Sequence, residues 1–192
     1  MKTIMLAIVL VITVSIAFSQ TITESEQATI LRMREDEKLA RDVYTTLNEK
    51  WNQKVFANIL ESEAYHMSQI KILIEKYKLE DPVAKINDQP GVFVNPEIQK
   101  MYDDFIASGS VSVLAAYKAG AEIEEIDIKE LGEAIAATEV KDIKGTYKYL
   151  LDASKNHLVA FVRNMERMGV NYEPVVLSKE QFDAIIRSSQ AK

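Results

Sequence analysis

The chain has 192 residues, 47% of them hydrophobic and 27% charged, with a net charge of −6 and no cysteine. That suffices for one domain with its own core and falls short of two. Disulfides, thiolate zinc sites and a cysteine nucleophile are excluded, and the absence of a basic patch speaks against nucleic acid as a partner.

The first residues differ from the rest. Lys2 precedes an apolar run from Ile4 to Ile16, and Ala17-Phe18-Ser19 reads as a small-x-small cleavage site. The run is short of the about 20 residues a membrane span needs. Residues 1–19 are therefore expected to be a signal peptide and 20–192 the mature domain. The mature protein would be periplasmic or extracellular, with no membrane association after cleavage.

Thr23 with Glu26 forms a capping-box pattern, opening a helix expected to run to about Trp51. A second helix is expected from about Lys54 to Tyr77. Pro82, Asn87, Asp88, Pro90 and Gly91 mark the stretch from Glu80 to Asn95 as a loop. Asn95-Pro96 starts a short helix that ends near Gly109. Ser110 is expected to open a third long helix reaching Thr138, and Asp142 a fourth that stops at Gly169. Val170 to Leu177 reads as extended, and Ser178 with Gln181 caps a last short helix. The fold class is all-α: a four-helix bundle with one long crossover between helices two and three, plus short extra helices.

Core-facing residues on such helices recur at steps of three and four. The first stripe reads Ile30, Met33, Glu37, Ala40, Tyr44, Leu47, Trp51. The second reads Phe56, Ile59, Glu63, His66, Ile70, Leu73, Tyr77; the third Leu114, Tyr117, Ala121, Glu124, Ile128, Leu131, Ile135; the fourth Tyr147, Leu150, Ser154, His157, Phe161, Met165. Each is broken by polar residues near its middle, and both histidines of the chain lie on them. Burying one unpaired carboxylate costs several kcal/mol. Several such defects at one depth would approach the about 5–15 kcal/mol that holds a domain together. Divalent cations remove the defect by neutralising carboxylates and accepting imidazole nitrogen. With no cysteine, a His/Asp/Glu ligand set suits iron, manganese or zinc. The other explanation is a structural polar core, with Arg41 or Lys38 pairing Glu37 and Arg163 pointing inward. Tyr44, Tyr117 and Tyr147 are expected in the core or just behind the site.

Glu37-x-x-x-Arg41-x-x-Tyr44, Glu63-x-x-His66, Gly120 with Glu124, and His157 together resemble the ferritin-like superfamily, nearest to rubrerythrin-type di-iron carboxylate proteins. The run from Met33 to Tyr44, Ile123 to Ile128, Asn156-His157-Leu158 and Tyr172-Glu173-Pro174 resemble the DUF2202 family. The resemblance implies a di-metal site, with two iron ions per chain and manganese or zinc as alternatives, held by Glu37, Glu63, His66, Glu124 and His157. It also implies oxidase- or peroxidase-like chemistry with dioxygen or peroxide, an electron donor outside this chain, and compatibility with a homo-oligomer. Beyond the metal ligands it assigns no catalytic residue. Ser154 departs from the pattern, since a Glu is expected three residues before His157. Asp127, one turn beyond Glu124, is the expected substitute ligand, holding a weaker second ion; Glu122 and Glu125 are expected behind the site or in solvent. Two further classes remain open from the residues alone: a metal-holding protein without turnover, and a metal-free helical interaction module.

The leader is tested by mass spectrometry of protein from the native cell envelope. The mature chain should begin near Gln20; a full-length chain recovered from the cytosol would contradict export.

Overall fold

The computed structural model describes residues 21–190. The expected signal peptide, 1–19, lies outside these residues. Seven helices and no strand occur among the described residues: α1 (Glu24–Trp51), α2 (Lys54–Tyr77), α3 (Pro82–Lys85), α4 (Pro96–Gly109), α5 (Val113–Ala137), α6 (Lys141–Arg167) and α7 (Lys179–Gln190). The all-α expectation holds.

The caps explain most of the boundaries. Thr23 accepts from the Glu26 amide while Glu26 returns a bond to the Thr23 backbone, closing the expected capping box. Asn52 and Lys78 adopt left-handed conformations, at φ 48° and 56°, and stop α1 and α2 abruptly. Ser178 and Gln181 form the same reciprocal cap at the start of α7. Two starts shift. The cap of α5 is Ser112, whose hydroxyl accepts from the Ala115 amide, while Ser110 ends α4. Helix α6 begins at Lys141, one residue early. Within the expected loop, Asp81 caps the single-turn α3 by accepting from Val83.

Four long helices pack as two antiparallel hairpins, α1 with α2 and α5 with α6; α2 lies against α6 and α1 against α5. The ends fix the direction. Trp51 donates to the Gly109 carbonyl just before α5, Thr138 beyond α5 donates to Glu26 at the start of α1, and Tyr77 at the end of α2 donates to Asp142 at the start of α6. The stretch from α2 to α5 must therefore travel the length of the molecule, so that α5 starts beside the beginning of α2.

That crossover docks on α1, and it explains why a run of charges is buried there. Arg34 holds Asp81 and the Met67 carbonyl. Glu35 accepts from the Val94 and Asn95 amides. Lys38, wholly buried, donates to Asp42 and to the Gln89 carbonyl, 4.4 Å from the centre of the Phe93 ring. Asp42 also accepts from Gly91, and Arg41 grips Asp42 and Asp88. Each buried charge has its partner, as burial requires.

The apolar core is in two parts. One cluster contains Val43, Tyr44, Phe56, Ala121 and Phe161; the other contains Ile30, Met33, Ile70, Leu131 and Leu150. Along every long helix, the residues that broke the stripes fall between them.

Gly120 sets how closely α5 and α6 approach. A Cβ there would meet the Phe161 ring at 2.5 to 2.8 Å, and that ring is wedged against Tyr44 and Phe56 at 5.4 Å each. Gly120→Ala should cost about 1–3 kcal/mol by overpacking, read as a lower chemical-denaturation midpoint. A variant as stable as the parent would mean the helix spacing is adjustable.

Candidate metal centre

Helix periodicity delivers the site. Glu37 from the middle of α1, Glu63 and His66 from α2, Glu124 from α5 and His157 from α6 converge in the layer between the two apolar clusters. Glu37, Glu63, Glu124 and His66 are all at least 98% buried, and His157 is the most exposed of the five, with 11% of its side chain accessible.

Glu63 is the centre. Its Oε2 lies 3.1 Å from Nδ1 of His66, and its Oε1 lies 2.8 Å from Nδ1 of His157. His66 Nδ1 also meets Glu37 Oε2 at 3.1 Å, and His157 Nδ1 meets Glu124 Oε1 at 3.5 Å. The two imidazoles are stacked with centroids 5.6 Å apart. Two ligand groups result, Glu37–Glu63–His66 and Glu63–Glu124–His157, each offering atoms within 4.8 Å of one another and sharing Glu63.

The groups differ in how their atoms are satisfied. The His66 contacts have hydrogen-bond geometry, and its Nε2 pairs with Ser62 Oγ at 3.2 Å. In the other group, Glu63 Oε1, Glu124 Oε2 and His157 Nδ1 are buried without a hydrogen-bond partner. The 2.8 Å approach of Glu63 to His157 is thus a close contact that is not aligned as a hydrogen bond. Orphaned buried polar atoms are rare in folded proteins. Three in one spot, one nitrogen and two carboxylate oxygens, form a donor set suited to a divalent cation.

Burial pushes the Glu37 carboxyl up to about 8 against the pull of His66. Burial also acts to raise Glu63, but contacts with His157 and His66 outweigh it and hold Glu63 at about 2. Burial disfavours the His66 cation, yet hydrogen bonds to Glu37 and Glu63 lift it to about 10. His157 rises well above its ordinary value, because Glu124 and Glu63 overcome its burial. The layer therefore carries protons where a cation would sit, and those protons must leave when one binds.

Five of the six expected ligand residues come together in the two groups. Asp127 is buried but belongs to neither. Burial raises its carboxyl well above the usual range, and Glu37 is the strongest of the neighbouring charges acting on it. Ser154 donates to the Leu150 carbonyl of its own helix, at 3.1 Å. The anticipated cation partners of Glu37 lie elsewhere: Arg41 and Lys38 hold the crossover, and Arg163 reaches Ser189 near the C-terminus. Glu125 is not behind the site or in solvent. Wholly buried, it accepts from the Tyr172 hydroxyl and the Val175, Val176 and Leu177 amides, pinning the segment before α7.

Tyr44 stands just behind the site, one of the places expected for it, and donates to Glu124 Oε1 at 2.7 Å. Two further neighbours have no sequence assignment. Tyr149 stands edge-on to His66 at 5.9 Å. Ser62 sits one turn before His66, a spacing that carries no signal until the ring orientation is known.

The chain matches the family described as "Uncharacterized protein domain (DUF2202)" over residues 26–189. It is 46% identical over 170 residues to the uncharacterized protein MJ0754 of Methanocaldococcus jannaschii, covering 88% of this chain and 91% of that one. The crystal structure of that hypothetical protein superposes with a TM-score of 0.85, covering 88% of this chain and 95% of the solved one.

The shifted groups link stability to pH. His66, raised from 6.5 to about 10, contributes fully below pH 6.5 and loses its contribution as pH climbs through about 10. Glu37, raised from 4.5 to about 8, likewise contributes below 4.5 and loses it through about 8. Glu63, lowered from 4.5 to about 2, contributes above 4.5 and loses it as pH falls through about 2. Chelator-treated protein should therefore melt at its highest temperature near pH 5 and at steadily lower temperatures up to about pH 9. A flat calorimetric profile over that range would contradict the proton-holding site.

Proposed function

The chain belongs to the DUF2202 family, and from its own buried cluster we propose that it is a ferritin-like four-helix metalloprotein holding two ions per chain. Iron is the preferred metal, with manganese or zinc as alternatives. One observation carries the proposal: a single carboxylate, Glu63, presents one oxygen to each of two histidines on different helices. A carboxylate so placed is built to be shared between two positive centres. Glu37 and His66 complete one half, and Glu124 and His157 the other. Asp127 is the reserve carboxylate. Two divalent ions carry four positive charges, and with Asp127 ionised the layer would carry four negative ones.

When bound, a ferrous pair supplies two electrons, enough to take peroxide to water or dioxygen to peroxide. The protein's part is positional. Tyr44 fixes the Glu124 carboxylate by donating to it, and Phe161 and Phe56 pack against that tyrosine and keep water from its side. His157 is the most exposed of the five ligands, and its side of the layer is the one from which a small oxidant would approach. With no cysteine in the chain, electrons have to come from a separate reductant. A second reading, metal holding without turnover, is favoured by the near-complete burial of the other four ligands. Oxygen or peroxide consumption by iron-loaded protein separates the two.

A ligand that binds only the folded state adds about 2.7 kcal/mol at a hundredfold excess over Kd. Ferrous, manganous or zinc ion should therefore raise the melting temperature of the parent by several degrees. Glu63→Ala should abolish the rise and the binding of both ions, whereas Glu124→Ala should remove one. Equal stabilisation of parent and Glu63→Ala would place the ions elsewhere.

A further inference from the structure

Helices α2 and α6 present the same i, i+1, i+4 pattern to the layer with different residues. On α2 the pattern is Ser62, Glu63 and His66; at the matching offsets α6 carries Ala153, Ser154 and His157. Both histidines turn Nδ1 toward the carboxylates. Their far nitrogens are treated differently. Ser62 Oγ lies 3.2 Å from His66 Nε2, and the ring is fully buried beside Tyr149. Ala153 has no polar side-chain atom to offer, and among the described residues nothing hydrogen-bonds His157 Nε2, whose ring is 11% exposed.

An imidazole that gives its Nδ1 lone pair to a cation must carry its proton on Nε2. A fixed acceptor at Nε2 selects that tautomer, holds the ring plane and makes the nitrogen more basic toward the metal. A hydroxyl can act as that acceptor, and a methyl group cannot.

On the reading of the layer as a two-metal site, we infer that Ser62 is a positioning residue that makes the α2 half-site the tighter of the two. The lack of a counterpart at Ala153 leaves the α6 half-site weak and exchangeable. The chain would then keep one ion resident and trade the other.

The probe is zinc ion, titrated by calorimetry into the metal-free full chain in the presence of a competing chelator. The parent should bind in two unequal steps. Ser62→Ala should weaken the first step by about ten- to a hundredfold, and Ser62→Thr should restore it. Ala153→Ser should strengthen the second step and leave the first unchanged, a gain that a merely structural role for Ser62 would not produce. Melting of the metal-free variants tells loss of fold from loss of affinity, and if Ser62→Ala does not fold, Ala153→Ser decides alone. Two steps in the parent with neither altered by its variant would overturn the role of Ser62 while leaving the metal site standing. No binding by the parent would overturn both.

Discussion

A layer of ionisable side chains crosses the middle of an apolar core, and the rest of the molecule is arranged around keeping it there. Two hydrophobic clusters sit on either side. Between them three carboxylates and two imidazoles meet within hydrogen-bonding reach, and one carboxylate touches both rings. Without a cation the layer is held by shared protons, which leaves three buried polar atoms without partners. A layer this costly is understandable if its rest state is metal-loaded.

The helix that supplies Glu37 does a second task with its other faces. In a two-hairpin arrangement the long connection must cross the molecule, and here it crosses over α1. Arg34, Glu35, Lys38 and Asp42 take its backbone and side chains, so Glu37 is surrounded by charges that are all committed elsewhere. This separation matters to the site: a free lysine or arginine beside Glu37 would occupy the carboxylate and compete with any cation. Similarly, neighbours Glu124 and Glu125 face different ways, one to the layer and one to the segment before α7. Adjacent residues on a helix point about 100° apart, and the chain uses that angle to separate ligand from anchor.

Much of this was legible in the sequence because it depends on helical spacing. Steps of three and four gave the four stripes, and their polar interruptions at one depth gave Glu37, Glu63, His66, Glu124 and His157. Caps with side-chain signatures, Thr23–Glu26 and Ser178–Gln181, gave their helix ends. What escaped depends on tertiary detail. The single turn of α3 sits within a proline-marked loop where no periodicity can develop. The choice of Ser112 over Ser110 as a cap turns on which hydroxyl meets an amide. Lys38 and Arg41 read as possible partners of Glu37 until the crossover is laid on them and takes both. Glu125 belongs to this group too, since its partners are backbone amides fifty residues downstream. Ring orientation, which singles out Ser62 and Tyr149, leaves no mark on spacing at all.

The account turns on Glu63 being shared between two cations, and anomalous scattering tests it most directly. Crystals of protein loaded with ferrous or manganous ion, measured on either side of the metal absorption edge, should show two difference peaks in the layer. Both should lie against the Glu63 carboxylate, one also beside His66 and the other beside His157. A layer with no peak, or metal found only at the molecular surface, would contradict the account.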